Sequence, residues 1–399
     1  MFRNTLKTHN MQHEIFLNKS DVINWIQNSE IHHHAEFGGK TIRFVDLFSG
    51  CGGLSCGIHF AAKQGGMNAI CAFAIDSKLA PIEVYKDNIP YEDEAVINAN
   101  ILDVMDIKSR GGFTDKELAL KKQVGKVDVL VAGPPCQGHS NLNNSTRRND
   151  PRNGLYLSCI RAVELFEPHL IIIENVPTVI HSTEGVVQTT EQKFKDSGYY
   201  VNELTVNFLD LGIPQSRKRH VLIASKNEGF CKSLATLNNR RQTPTLREFI
   251  SNMDLDEELM FKAGKLSLEN TQRVDFLFDN ELYDLPNEHR PPCHRDKQHS
   301  YNSSYGRLNY DKPAQTLTSG YGSMGQGRYI HPEKRRTINS REASRIQGFP
   351  DCFSFSKVSK LTELRQMIAN AVPPQLSYVI LKHYINSVMK YQVAGEERG

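Results

Sequence analysis

Short apolar runs alternate with amphipathic segments through the first half of the chain, a pattern typical of strands alternating with helices. The amphipathic segments at residues 155–165 and 189–196 have helical spacing. This alternation predicts βαβ units, a largely parallel sheet and therefore an α/β fold. The predicted strands cover residues 42–48, 69–75, 127–132, 170–173 and 221–224.

Helical patterns also mark both ends of the chain. Residues 21–27 predict a helix capped by Ser20. This helix lies in an N-terminal extension, residues 1–40, which is too short for an independent helix-turn-helix domain and is expected to pack against the core. Near the C-terminus, a helix over residues 361–368 is followed by two prolines, which predict a second helix over residues 375–389.

Composition narrows the class of protein. The chain has 399 residues, of which 39% are apolar and 23% charged, as in a globular protein of roughly two to three domains. No apolar run approaches the roughly 20 residues of a membrane span, and the N-terminus has no apolar signal core, so a cytoplasmic location is expected. The eight cysteines include no C-x-x-C pair, which predicts reduced thiols and no metal site.

Net charge is only +3, from 48 basic and 45 acidic side chains, which is too small to identify a polyanion-binding protein. The distribution of charge is more informative. Basic residues concentrate in 214–247 and 286–345, on either side of an acidic stretch at 248–285. Two surfaces that face polyanions would give this pattern, and ordinary solvated loops would give it equally well.

Three unusual strings follow predicted strands, at the edge where ligands sit in α/β sheets. The first, DLFSGCGG at residues 46–53, has glycines that permit a tight turn and close approach of a ligand. It matches neither the G-x-G-x-x-G of dinucleotide enzymes nor a phosphate loop. A nucleoside such as S-adenosylmethionine is the better candidate, with Phe48 available to stack on its adenine, and a purely structural turn stays open.

The second string, GPPCQG at residues 133–138, holds Cys136 directly after a predicted strand. A lone cysteine is usually a small buried hydrophobe. Here two prolines hold the loop stiffly and are expected to leave the thiol accessible beyond the strand end. Cys136 is therefore a candidate nucleophile.

The third string, Glu174-Asn175-Val176, directly follows the apolar run at residues 170–173. A carboxylate at the end of a buried strand must be paired or protonated, because an isolated buried charge is costly. Glu174 is therefore either a proton donor near neutrality or an anchor for the turn that follows.

In this combination and order, the strings resemble those of the cytosine-5 DNA methyltransferases. The resemblance extends from Phe44 to the C-terminal helix. It implies a Rossmann-like S-adenosylmethionine-dependent methyltransferase domain with a smaller target-recognition domain, acting on carbon-5 of cytosine in a specific duplex DNA sequence. The strings are DLFSGCGG, PPCQ, ENV, QSRKR at residues 215–219, KPAQTLT at 312–318, REASRIQGFP at 341–350 and NAVPP at 370–374.

The resemblance also implies catalytic roles. The thiolate of Cys136 adds to carbon-6 of cytosine, which makes carbon-5 nucleophilic. Glu174 acts on ring nitrogen 3 and on the exocyclic amine, while Arg219 binds the carbonyl oxygen of the base with Arg217 beside it. Gln137, next to the thiol, contacts phosphate or helps to fill the space left when the target base is flipped out of the duplex.

For S-adenosylmethionine the resemblance implies a pocket formed by the glycine turn, neighbouring loops and the C-terminal segment. Two positions depart from the family's pattern. Ala74 stands where an acid usually holds the ribose, so that contact depends on Asp76. Asn100 stands where an aspartate is frequent, and its amide oxygen can still accept from adenine. The implied contacts are Asp46, Phe48, Ser49, Gly50, Gly53, Asp76, Asn100, Ile101, Pro135, Leu155, Asn370 and Val372.

The resemblance divides the chain into parts. Residues 1–40 are the extension, 41–225 and 311–399 form the methyltransferase domain, and 226–310 form the region that reads the DNA sequence. The polar loop at residues 139–154 resembles the mobile loop that closes over the flipped nucleotide.

The expected partner is double-stranded DNA. The setting that the resemblance implies is a prokaryotic restriction-modification system, with a monomeric enzyme at the nucleoid and a restriction endonuclease that acts on the same site without a stable complex. Two alternatives stay open. One is a transfer-RNA cytosine-5 methyltransferase, whose Cys-Phe-Thr string is absent from the variable region. The other is a catalytically silent DNA-binding relative, against which the intact Cys136, Glu174 and Arg219 argue.

Overall fold

A computed structural model describes most of the chain. The described residues are 19–31, 39–106, 112–135, 155–182, 185–234, 243–251, 253, 259–296 and 303–389. Among them, no helix is long and apolar enough to cross a membrane, no group of three or more His, Cys, Asp or Glu side chains could hold a metal ion, and the seven cysteines are free thiols.

Seven strands form one mixed sheet with the order β3-β2-β1-β4-β5-β8-β6. Strands β1 to β5 are parallel, and β8 runs antiparallel to both of its neighbours. The predicted α/β fold is confirmed, whereas β3 and β6 were not predicted. The strands are β1 Thr41–Leu47, β2 Asn68–Asp76, β3 Val96–Asn98, β4 Val129–Ala132, β5 Leu170–Asn175, β6 Tyr200–Asn207, β7 Gln215–Ser216, β8 Lys218–Ser225 and β9 Ala314–Gln315, with β7 and β9 pairing separately.

The described helices cover the sheet and build the second half of the chain. They are α1 Lys19–Asn28, α2 Gly53–Gln64, α3 Leu79–Asn88, α4 Asp115–Val124, α5 Ser158–Phe166, α6 Val186–Asp196, α7 Glu228–Leu234, α8 Leu246–Ile250, α9 Leu268–Asp279, α10 Pro292–Arg295, α11 Ser340–Ile346, α12 Leu361–Asn370 and α13 Pro374–Tyr384. The C-terminal helix continues as a π turn, Ile385–Met389.

The first helix corrects one prediction and confirms another. Ser20 lies inside α1, which begins at Lys19, so the predicted cap is wrong. The helix is held by its apolar face: Val22 and Ile26 are buried in the core, and Trp25 stacks on Tyr378 with ring centroids 5.4 Å apart. Helix α1, the described helix of the extension, therefore packs against the core, as expected.

Apolar side chains alternate between the two faces of the central strands. Phe44 and Val131 join one core cluster, while Val45 and Leu130 join a second cluster on the other face. A parallel sheet covered on both faces requires such continuous apolar runs. The sheet is therefore the rigid frame that positions the loops at its carboxyl edge.

A third, smaller cluster lies apart from the sheet. Its buried members are Val274, Leu277, Leu285, Tyr305, Met324 and Ile330. Helices α7 and α8, although they fall within the predicted recognition region, contribute Phe230 and Phe249 to the first cluster instead. The third cluster thus forms the core of a small lobe that begins near α9 and ends near Ile330.

Candidate active site

The ends of three adjacent strands bring the three predicted strings together. Leu47 of β1 pairs with Ala132 of β4, which pairs with Ile173 of β5. The next residues, Phe48, Gly133 and Glu174, therefore lie side by side. A β-carbon on Gly133 would lie 3.9 Å from Glu174 Oε2 and 4.0 Å from the Phe48 carbonyl oxygen.

Asn175 ties the second string to the third. Its side-chain amide is buried and donates to the Pro134 carbonyl at 3.3 Å, while its Oδ1 accepts from the Val176 amide at 2.8 Å. These bonds fix the backbone that leads into Cys136. Cys136, Gln137 and the predicted loop at 139–154 lie outside the described residues.

Glu174 forms an ion pair with Arg219. The Arg219 Nε lies 2.6 Å from Glu174 Oε1, and the two side chains are only 14% and 9% exposed. Glu174 comes from β5 and Arg219 from the antiparallel strand β8, so the sheet itself sets their approach. The pair compensates a buried charge that would otherwise be costly, and it places a carboxyl group and a guanidinium beside Gly133.

Arg217 points elsewhere. Its Nη1 donates to the Ala369 carbonyl at 2.7 Å, and the residue is only 5% exposed. Ala369 directly precedes the predicted cofactor contacts Asn370 and Val372. The sequence placed Arg217 beside Arg219 at the base, whereas this bond directs its guanidinium to the C-terminal segment.

The glycine turn after β1 adopts the left-handed backbone that its sequence requires. Gly50 and Gly52 have φ angles of 53° and 90°, and Phe48 itself has a φ of 56°, a strained conformation for a bulky residue. No atom of the described residues lies within 4 Å of a β-carbon placed on Gly50. A β-carbon on Gly53 would lie 2.1 Å from the Val372 carbonyl oxygen. Gly53 is therefore needed for the C-terminal segment to reach the turn.

Asp76 supplies the acid at the end of β2. Its Oδ2 accepts from the Gly50 amide at 3.0 Å and its Oδ1 from the Lys78 amide at 2.9 Å. Ala74 is fully buried opposite Asp46 in the sheet. An acid at position 74 would lie in the core, whereas Asp76 lies at the end of the strand. The alanine at position 74 therefore does not deprive the strand end of an acid.

Asp46 lies beneath the glycine turn, where it is 1% exposed. Ser55 Oγ donates to its Oδ2 at 2.5 Å. Burial raises the pKa of Asp46 to about 8, against the opposing effect of the Ser55 bond. Asp46 therefore supports the turn from below instead of facing outward.

The remaining residues predicted to contact the cofactor differ in solvent exposure. Asn100 is exposed, and its Oδ1 accepts from the Leu102 amide at 3.1 Å. Ile101 is buried in the second core cluster, and Leu155 is half-buried against it. Asn370 is exposed at the end of α12, and Pro135 is half-buried.

Several features fit a nucleoside cofactor such as S-adenosylmethionine. The space around Gly50 admits a ligand, and Phe48, two residues before it, is only half-buried against the second core cluster. The Ser49 hydroxyl is buried and has no hydrogen-bond partner among the described residues. Buried polar groups are normally satisfied, so an unmet hydroxyl in this turn suits a polar ligand.

Sequence reasoning missed two supporting side chains. Ser55 holds Asp46 from α2. Gln347, fully buried at the end of α11, donates to the Ala371 carbonyl. Gln347 lies within the string at 341–350, so its position was noted but its partner was not, because a contact across 24 residues of chain leaves no periodic signal.

Comparison with known proteins gives a consistent result. A family model described as C-5 cytosine-specific DNA methylase matches residues 42–386. The type II methyltransferase M1.BsuMI of Bacillus subtilis is 40% identical over 356 residues, covering 88% of this chain and 82% of the relative. The type II methylase M.HgiDII of Herpetosiphon aurantiacus is 31% identical over 350 residues, covering 85% and 93%.

Two solved structures share the fold. A DNA modification methyltransferase encoded within an Escherichia coli prophage, described as putative in its own title, has a TM-score of 0.56 at 22% identity, covering 86% of this chain and 99% of that one. The Dnmt2 methyltransferase of Schizosaccharomyces pombe has a TM-score of 0.56 at 16% identity, covering 88% and 99%. These likenesses confirm the Rossmann-like methyltransferase architecture.

Proposed function

The chain belongs to the C-5 cytosine-specific DNA methylase family, and we propose that Cys136, Glu174 and Arg219 carry out its transfer of a methyl group to carbon-5 of cytosine in duplex DNA. The observation that supports this assignment is the Glu174–Arg219 pair beside Gly133, three residues before Cys136.

Cys136 is the nucleophile. A free thiol has a pKa near 8.5 and is only a few per cent ionised at neutral pH, so its deprotonation accompanies attack. The sulfur bonds to carbon-6 of the flipped cytosine, and the electron pair of the 5,6 double bond moves to carbon-5. Carbon-5 then takes the methyl group. Loss of the carbon-5 proton expels the Cys136 thiolate and restores the ring. No described side chain is assigned as the base for this last step.

Glu174 and Arg219 bind the flipped base from one edge. The Glu174 carboxylate takes up a proton from solvent as the base enters, shares this proton with ring nitrogen 3 and accepts from the exocyclic amine, which offsets the charge that develops as the sulfur adds. Arg219 donates to the carbonyl oxygen of the base. The base enters where these two side chains now pair, so the ion pair holds both groups ready in the protein alone.

Membership of the family and the fold imply that the methyl donor is S-adenosylmethionine. When bound, this cofactor supplies an electrophilic methyl group. Phe48 would stack on the adenine, Asp76 would hold the ribose hydroxyls, and Gly50, Gly53 and Val372 would shape the surrounding backbone. The exposed Asn100 would face the adenine edge, with Ile101, Leu155 and Pro135 forming the wall.

The small lobe reads the DNA sequence. This lobe, built on the third core cluster, carries exposed hydrogen-bond donors suited to base edges in the major groove. Among them are Gln272 on α9 and His289, whose ring stacks on Phe276 with ring centroids 3.8 Å apart. The region from 226 to 310 therefore divides in function: α7 and α8 belong to the catalytic core, and recognition begins near α9.

The two relatives named above are a type II methyltransferase and a type II methylase. This likeness supports the proposal that a cognate endonuclease cuts the same sequence without forming a stable complex with the chain. The proposal also has the chain act as a monomer on DNA of the nucleoid in the cytoplasm.

Covalent trapping tests the assignment of Cys136. Duplex DNA that carries 5-fluorocytosine cannot lose its carbon-5 substituent, so the unaltered chain with S-adenosylmethionine should form a denaturation-resistant complex. Cys136→Ser should form none and should lose methyl transfer to unmethylated phage DNA while retaining DNA binding. Turnover by Cys136→Ser close to that of the unaltered chain would exclude the mechanism. Transfer to transfer RNA but not to DNA would point to the RNA-modifying branch.

A further inference from the structure

Three side chains spaced two residues apart, from β7 into the start of β8, contact three different parts of the proposed site. Gln215, Arg217 and Arg219 alternate along the chain, and Arg217 and Arg219 lie over the same Phe208 ring, at 5.6 and 6.0 Å from its centroid. Phe208 is fully buried, and its amide donates to the Arg217 carbonyl at 2.9 Å. The two guanidiniums therefore share one rigid support.

Their partners differ. Arg219 pairs with Glu174, which belongs to the base-binding side of the site. Arg217 donates to the Ala369 carbonyl at 2.7 Å. Gln215 donates to Gln347 Oε1 at 2.7 Å, and Gln347 in turn donates to the Ala371 carbonyl.

The segment from Ala369 to Val372 is thus held from both sides. On one side, the carbonyls of Ala369 and Ala371 accept from Arg217 and Gln347. On the other, the Val372 carbonyl lies against Gly53 in the cofactor turn, and Val372 Cγ2 would lie 3.9 Å from a β-carbon on Gly133. Ala371 is extended, with φ −61° and ψ 146°. Losing one of the two carbonyl bonds would free the segment to leave the turn.

We propose that Arg217 is a positioning residue for the cofactor, because it holds the Ala369 carbonyl and thereby keeps Asn370 and Val372 against the glycine turn. Gln347 assists at Ala371. Arg219, two residues further along the same chain, serves the base. The inference rests on the proposed function and divides the two arginines between the two substrates.

Cofactor binding without DNA separates the two arginines. S-adenosylhomocysteine binding is measured by calorimetry on the full chain, together with KM for S-adenosylmethionine and kcat on unmethylated phage DNA. Arg217→Gln should raise the Kd for S-adenosylhomocysteine and the KM for S-adenosylmethionine about tenfold, while kcat falls less than about threefold. Arg219→Gln is the matched control: it should leave that Kd within about twofold and lower kcat at least about a hundredfold.

Two further variants guard against a merely structural effect. Arg217→Lys keeps a donor that can reach the Ala369 carbonyl and should restore the Kd to within about threefold of the unaltered value. Gln347→Met keeps the side-chain length without the donor and should reproduce the Arg217→Gln pattern even if Arg217→Gln does not fold.

The possible results are distinguishable. Unchanged S-adenosylhomocysteine affinity in both Arg217→Gln and Gln347→Met overturns the inference, as does a loss of kcat alone in Arg217→Gln. Absence of S-adenosylhomocysteine binding by the unaltered chain contradicts the proposed function as well.

Discussion

Glu174 and Arg219 meet because their strands run in opposite directions. Glu174 lies at the carboxyl end of the parallel strand β5, where loops follow. The antiparallel strand β8 begins at this same edge of the sheet and brings the Arg219 guanidinium to Glu174. A rigid backbone thus supplies both members of the pair, so the proposed binding of the base by these two side chains would need little reorganisation.

Glu174→Gln tests the role of the carboxyl group. The amide can still hydrogen bond but cannot share a proton with ring nitrogen 3, so kcat for methyl transfer to unmethylated phage DNA should fall by about 10² to 10⁴. Binding of S-adenosylhomocysteine, measured by calorimetry, should be unchanged. Glu191→Gln, on the exposed face of α6 where Glu191 pairs with Lys195, is the control and should retain full activity. Full activity of Glu174→Gln would remove the carboxyl group from the mechanism.

At the scale of single residues, sequence strings predicted positions better than partners. Glu174 and Arg219 could be singled out because each belongs to a dense, unusual string. The bond from Arg217 to Ala369 spans 152 residues of chain, and neither residue carries a local signal of the other. Such a bond depends on the packing of α12 against the sheet, which no short string encodes.

Helices α2 and α13 show how strictly packing constrains an element. A β-carbon on Gly57 would lie 2.0 Å from the Pro374 carbonyl oxygen and 2.2 Å from Ser377 Oγ. Ser377 Oγ also donates to the Leu54 carbonyl at 2.6 Å. The helices therefore approach with backbone close to backbone, as only glycine permits.

Gly57→Ala should force α13 away from α2 and lower the free energy of unfolding by about 2 to 3 kcal/mol, the usual cost of overpacking a tight contact. Urea denaturation followed by circular dichroism measures the change. Gly229→Ala is the control, because within the described part of the chain its β-carbon would meet only Asn227 Oδ1, at an ordinary 3.5 Å, and it should cause no loss of stability. Equal free energies of unfolding for the two variants would contradict this prediction, because α2 and α13 would then separate without loss of stability.

Strands with buried apolar runs were predicted, and strands without them were not. β3 has only three residues, and β6 lies at the sheet edge with half-buried and exposed positions and none that is fully buried. Neither gives a continuous apolar run. β6 forms because β8 supplies a long antiparallel partner over eight residue pairs, which is a tertiary effect.

For the whole molecule, the string pattern predicted a recognition region at residues 226–310 by the absence of matching strings, and these bounds stay a prediction. Packing instead assigns α7 and α8 to the first core cluster and extends the small lobe to Ile330. A stretch of divergent sequence need not coincide with a separate hydrophobic core, and only the core can be identified from side-chain contacts.

Acid should destabilise the whole fold through His331. The imidazole is fully buried, accepts from the Glu333 and Lys334 amides through Nδ1, and has Nε2 at 3.4 Å from Glu342. Burial lowers the pKa of His331 to about 4, from 6.5, despite the nearby Glu342 carboxylate. Only the unfolded chain takes up this proton between pH 6.5 and 4. Stability contributed by the neutral imidazole is therefore present above pH 6.5 and falls by up to about 3 kcal/mol as the pH drops to 4.

His331→Asn isolates this contribution, because asparagine still accepts from the two amides but does not titrate. The free energy of unfolding, measured by urea denaturation at pH 7.5, 6, 5 and 4, should fall more steeply in the unaltered chain than in His331→Asn. Parallel curves for the two proteins would show that this histidine takes no part in the acid response.

Trp25 is the single tryptophan among the 399 residues, and it stacks where the N-terminal helix meets Phe60 of α2 and Tyr378 of α13. One of those helices begins at the glycine turn after β1, and the other directly follows the segment at 369–372, which packs against this turn. The fluorescence of Trp25 therefore originates where the two helices meet, and a shift in its emission should report how the two walls of the proposed cofactor pocket move relative to each other.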